Sequence, residues 1–105
     1  MSTINYNKLV RDKIPEIINE SGKTCVWEVL PDDEYIEALN MKLLKEVNEY
    51  LETGFAEELA DISEVIKAIL AHRGISEDTV ENIRLKKLET RGGFKKRIVL
   101  RSVVE

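Results

Sequence analysis

Apolar side chains recur at helical spacing along three stretches of the chain. In the first, residues 33–53, Ile36, Leu39, Leu43, Val47, Tyr50 and Leu51 fall on one face, with Asn40 as the polar exception. Gly54 interrupts the pattern, and it resumes over residues 55–73 with Leu59, Ile62, Val65, Ile66, Ile69 and Leu70. Gly74 is placed to close that second helix in a left-handed turn. Ser76 opens a third, with Glu77 and Asp78 in its first turn and Val80, Ile83, Leu85 and Leu88 along it, ending near Thr90. Ahead of these, Asp12 can cap a short helix that starts at Lys13, tolerates Pro15 in its first turn and stops at Ser21-Gly22. Two stretches favour strands instead: residues 23–30, with Val26, Trp27 and Val29, and residues 97–104. The pattern predicts a mainly α fold. A helical hairpin forms its core, with a third long helix, a short N-terminal helix and a small two-stranded β flank.

The length of 105 residues allows one domain, spanning 1–105. A composition of 43% apolar and 34% charged residues is that of a globular chain and excludes wholesale disorder. No apolar run approaches the ~18 residues of a membrane span. No charged segment followed by an apolar one marks an export signal. Cys25, the single cysteine, has no internal partner and reads as packing in an apolar run. Together these features point to the cytoplasm. Residues 84–101 hold eight basic residues and one acid, a net charge of +7, which leaves −11 on the remainder of a chain whose total is −4. An acidic body with a basic tail suits nucleic acid, or one site that needs both signs, such as a metal–phosphate ligand.

The acids around Gly54 change the picture most. The stretch KEVNEYLETGFAEELAD carries Glu46 and Glu49 before the break, and Glu58 and Asp61 after it. Helices joined across Thr53-Gly54 run antiparallel, so residues level with each other have position numbers with a common sum. Glu49 is then level with Glu58 and Glu46 with Asp61, as two rungs about 4.5 Å apart along the axis. Helix axes ~8–10 Å apart leave a gap that two carboxylates can close through a cation. On a helical wheel Glu58 falls within the apolar sector, Asp61 lies just beyond its edge, Glu46 borders the stripe beside Leu39, and Glu49 faces furthest outward. A core-facing carboxylate needs a partner, and a hard divalent cation supplies one through oxygen ligands. Chance pairs of solvated acids are the bland alternative in a chain with 20 of them.

These residues resemble the all-alpha nucleoside triphosphate pyrophosphatases, the MazG-like superfamily. Their hallmark is Glu-Glu-x-x-Glu on one helix and Glu-x-x-Asp on the next, together holding Mg²⁺. Here Glu46 and Glu49 match the last two acids of the first motif, and Glu58 and Asp61 match the second. Lys45 stands where the first acid is expected, and the connection between the motifs is shorter than usual. The opening YNKLVRDKIPEII and the ending RGGFKKRIVL further resemble small predicted house-cleaning pyrophosphatases for noncanonical nucleotides. The resemblance implies hydrolysis of a nucleoside triphosphate between its α- and β-phosphates, to a nucleoside monophosphate and pyrophosphate. It implies Mg²⁺, with Mn²⁺ as a substitute, held by Glu46, Glu49, Glu58 and Asp61. Glu49, or else Glu46, would take the proton of the attacking water. Lys8, Arg11, Lys13, Lys87, Arg91, Lys96 and Arg97 would meet the phosphates, with Arg91 favoured because its neighbouring glycines let the backbone approach.

Other residues read more plainly. Arg11-Asp12-Lys13 can equally be an ion pair with a helix cap, and Lys95 a solvated device against edge pairing. Trp27, Tyr35, Tyr50 and Phe94 read as core residues before base-stacking ones, with Phe94 the best exception because it lies beside the proposed phosphate grip, and His72 has no companion that would make it catalytic. A non-catalytic dimeric helical module and a phosphoribosyl-ATP pyrophosphatase-like enzyme are the competing functions, and nucleic-acid binding ranks last because the body is acidic. Three amphipathic helices in so short a chain leave apolar surface uncovered, so a homodimer or higher homo-oligomer is expected. Basic groups facing one acid cluster can then come from a neighbouring chain.

Overall fold

A computed structural model describes residues 2–105. It contains four helices: α1 (Ile14–Glu20), α2 (Asp32–Thr53), α3 (Ala56–Arg73) and α4 (Glu77–Arg91). The mainly α class and the three long helices follow the apolar periodicity to within a residue at most ends. Gly54 ends α2 with φ 69°, a left-handed conformation that lets its N–H reach the Tyr50 carbonyl at 2.7 Å. The Phe55 N–H donates to Thr53 Oγ1 at 3.1 Å and fixes the entry to α3. Gly74 closes α3 with φ 68°, and the next N–H, on Ile75, reaches back to the Leu70 carbonyl at 3.0 Å. Ser76 then caps α4, its Oγ accepting from the Thr79 N–H at 3.1 Å.

Among the described residues, the only substantial helix pairing is α2 against α3. The hairpin is closed at its open end by Tyr35 and His72, whose rings meet edge to face with centroids 5.1 Å apart. Tyr35 and His72 are level by the same numbering rule that pairs Glu46 with Asp61, so one register runs the length of both helices. Leu39 and Val65 are the buried apolar residues, and α4 buries nothing. The molecule measures 67 × 32 × 24 Å with a radius of gyration of 19.0 Å. A compact chain of this length would have a radius of about 13 Å. The chain is therefore elongated, and α4 adds no buried side chain to the hairpin core. No helix among the described residues is long and apolar enough to cross a membrane.

Three expectations need correction. The two-stranded flank is absent: among the described residues there is no strand. Residues 23–30 and 98–105 are irregular and have no ladder partner, and Val26, Val29 and Val104 are almost fully exposed. β-branched composition selects an extended backbone, but only a partner makes it a strand. Arg97 does not open a strand; it sits at φ 58° and ends a turn in which its N–H reaches the Phe94 carbonyl at 3.1 Å. Asp12 does not cap α1, since Lys13 holds the cap position without a side-chain bond. Trp27 and Phe94, read as core, are exposed at 63% and 98%, because α4 and the tail fold onto nothing in the same chain. Cys25 is half-buried, with Sγ 3.8 Å from the Pro15 carbonyl.

The turn at Gly54 depends on a backbone conformation that a Cβ disfavours, although no atom lies within 4 Å of one built there. Gly54→Ala is therefore expected to lower stability by about 1 kcal/mol through backbone strain alone. Urea unfolding checks this, and an unchanged midpoint would contradict the role given to the turn.

Candidate metal centre

The hairpin brings three carboxylates together. Glu46 on α2 and Glu58 and Asp61 on α3 each offer an oxygen, and these atoms lie within 4.8 Å of one another. Glu46 is the most enclosed, at 5% exposure. It lies seven residues after Leu39, two helical turns along the same face, so both point at α3. The wheel placed Glu46 at the border of the stripe and Glu58 within it. Packing reverses that order, because the stripe is centred on the direction in which the partner helix sits.

Two cations already touch the cluster. Lys42 Nζ lies 3.4 Å from Glu46 Oε1, one turn back on α2. Arg11, from the turn that precedes α1, donates to Asp61 Oδ1 at 2.6 Å. The Ile14 N–H bonds the Arg11 carbonyl at 3.1 Å, and this turn anchors the Arg11 backbone. Each cation takes one oxygen of its carboxylate. Glu46 Oε2 is buried without any hydrogen-bond partner, a costly state for a carboxylate oxygen. Lys42 was not singled out from sequence, although its i, i+4 spacing to Glu46 was a readable signal.

Glu58 is pushed above the ordinary glutamate range, first by burial, then by the charge of Glu49 and a hydrogen bond with it, and then by Asp61 and Glu46. Crowding by neighbouring carboxylates makes the charged form of Glu58 harder to hold. Glu49 stands beside the three-oxygen cluster rather than in it. Lys45 is exposed and lines a shallow outward groove of α2 with Met41, Leu44, Asn48, Glu49 and Glu52. It makes no ion pair with the cluster.

The expected phosphate-binding residues divide. Arg11 reaches the acids. Lys8 lies over the Tyr6 ring, 5.1 Å from its centroid, and Lys13 occupies the cap position of α1. Lys87 and Arg91 on α4 and Lys96 and Arg97 in the tail are exposed and pair with none of the acids. Within one chain, the basic segment and the acid cluster are not brought together.

The donor set fits a hard divalent cation: all-oxygen, anionic, half-enclosed, and with one oxygen lacking any other partner. Among known proteins, the chain is 57% identical over 42 residues to an uncharacterized protein of Mycolicibacterium smegmatis, a match that covers 40% of this chain. The match spans 43% of that relative's length. No family model matches the chain, and no solved structure matches it.

A raised Glu58 fixes the sign of a pH effect. The folded chain holds this proton more tightly than the unfolded one. The stability it contributes is present below the unfolded glutamate range and is lost as pH rises through the raised folded value. Without divalent metal, the melting midpoint should fall across that window, and Glu58→Gln should flatten the fall. Thermal melts from pH 4 upward check this; parallel profiles for the two proteins would contradict it.

Proposed function

We propose that this protein is a Mg²⁺-dependent nucleoside triphosphate pyrophosphohydrolase of the MazG-like, house-cleaning kind, acting on a noncanonical nucleotide and accepting Mn²⁺ as a substitute. The observation that carries the reading is the convergence of Glu46, Glu58 and Asp61 with Glu46 Oε2 left unpartnered. Mg²⁺ bound there would offset the carboxylate charge, polarise phosphate oxygens and lower the pKa of water.

The chain's own groups supply the rest. Glu49 accepts the proton of the attacking water, as the one acid of the four outside the three-oxygen cluster. The water oxygen bonds to phosphorus, the link between the α- and β-phosphates breaks, and pyrophosphate leaves with that electron pair. Arg11, already at the cluster, would meet phosphate oxygens, and Asp61, released from that pair, would be free to hold the cation. Lys42 remains on Glu46 Oε1, a second-layer contact that orients the ligand. Lys45, in place of the first acid of the motif, is exposed, makes no ion pair with the acids and lines the same groove as Glu49.

A second reading is favoured by the Arg11–Asp61 pair, which stabilises the hairpin without any metal. It makes the protein a helical binding module with no chemistry. Melting with Mg²⁺ and a nonhydrolysable triphosphate separates the two, since a ligand of the folded state raises the midpoint by mass action.

Pyrophosphate release screened over canonical and modified triphosphates, with Mg²⁺ or Mn²⁺, tests the main reading. Turnover should vanish with EDTA and fall roughly a hundredfold or more in Glu58→Gln. Equal turnover by the variant, or none by either protein on any triphosphate, would contradict it. Glu46→Leu should likewise abolish turnover while raising metal-free stability by about 1–3 kcal/mol, because it removes an orphaned carboxylate oxygen. Chemical denaturation of the variant measures this, and a destabilised Glu46→Leu chain would show that the Lys42 pair outweighs the orphan.

A further inference from the structure

The single chain exposes far more surface than its size accounts for. Its solvent-accessible surface is 9938 Å², against about 6,000 Å² for a compact monomer of 12.1 kDa. Two chains would share an excess of roughly 7,800 Å², more than the about 2,000–5,000 Å² that an obligate interface commonly removes from both partners together, so a large interface can be accommodated. α4 and the tail contribute to that excess along their whole length. Every residue from Arg73 to Glu105 is exposed, including Ile83, Leu85, Leu88, Phe94, Leu100 and Val104. A lone helix of this length is marginal in water, so α4 needs a surface to pack on.

The same chain does not offer that surface. α4 leaves α3 at Arg73, about 18 Å of helix from Asp61. It touches α3 only near its start. The open cleft of about 480 Å³ between them is lined from α4 by Glu77, Asp78, Val80 and Glu81, and a single ion pair, Lys67–Glu77 at 3.7 Å, spans the junction. Beyond Glu81 every α4 residue is exposed. The net positive segment, residues 84–101, makes no ion pair with the acid cluster of its own hairpin.

We propose that α4 and the tail form an exchanged arm, which seats on the hairpin of a second copy of this chain and places its basic side chains over that copy's acid cluster. Charge complementarity selects the occupant: α4 with the tail carries a net +3, the +7 of residues 84–101 offset by the acids at its two ends, and the rest of the chain carries −7. Symmetry selects the stoichiometry, because two reciprocal arms close in one twofold assembly. The Arg91, Lys96 and Arg97 that one chain holds apart from its own acids then complete the site of its partner. The seating rests on area and charge; the catalytic meaning of those basic residues rests on the nucleotide reading above.

Two measurements test the arm without using activity, so a failed pyrophosphatase assay and a failed arm are distinguishable. In the first, a nitroxide is placed at Lys95→Cys in a Cys25→Ser background, on unlabelled chain mixed with ¹⁵N-labelled unmodified protein. Broadening of the labelled amides at Glu46, Glu58 and Asp61 is expected. A sedimenting mass of one chain, or of two chains with no broadening at those amides, overturns the proposal, the latter pointing to a different interface. The second compares Phe94→Ser and Leu100→Asp with the unmodified chain by sedimentation equilibrium. Both residues are exposed in the single chain, at 98% and 76%, so substitution there should leave an isolated chain's fold nearly untouched. At least a tenfold rise in the dimer dissociation constant is expected, and a constant unchanged within twofold overturns the proposal.

Discussion

Everything else in the molecule depends on the antiparallel contact between α2 and α3. A short break at Thr53-Gly54 forces the two helices side by side, and the burial of Leu39 on one and Val65 on the other sets their rotation. That rotation turns Glu46 inward, and the register places Asp61 and Glu58 opposite the acids of α2. Repulsion among these carboxylates opposes the contact that gathers them. The packing wins because the apolar faces cannot separate without exposing more surface to water. The residual strain appears as the upward shift of Glu58 and an unpartnered oxygen on Glu46.

Basic side chains relieve part of this strain, and how they do so matters for chemistry. Lys42 and Arg11 each bind one oxygen of one acid and leave Glu46 Oε2 without a partner. They resemble counter-ions held in waiting. Arg11 comes from outside the hairpin, its side chain is more than half exposed, and its pair is open to solvent screening. Lys42 is more enclosed and belongs to the helix that carries its partner. A divalent cation would compete readily with the first and leave the second as support.

The sequence disclosed what is periodic and local, and missed what depends on distant partners. Helices α2 and α3 were legible from apolar spacing, their ends from Gly54 and Gly74, and the pairing of Glu46 with Asp61 from the turn between them. The depth of Glu46 was underestimated, because a wheel does not show where the neighbouring helix lies. Arg11 was expected near phosphates and is found on Asp61; a contact across half the chain leaves no trace in local spacing. The strand at 23–30 failed for a related reason. Val26 and Val29 have the right shape for a sheet, yet nothing local specifies the partner.

The central claim is that the converged carboxylates hold a divalent cation. Electron paramagnetic resonance of Mn²⁺ tests it most directly, since the sharp signal of the free aqueous ion is lost on binding. Titrating the protein at neutral pH into Mn²⁺ should remove that signal saturably, and Glu46→Gln should restore most of it. A full free-ion signal in the presence of excess unmodified protein would contradict the account. So would equal loss of signal in the variant, which would place the ion elsewhere on the acidic surface.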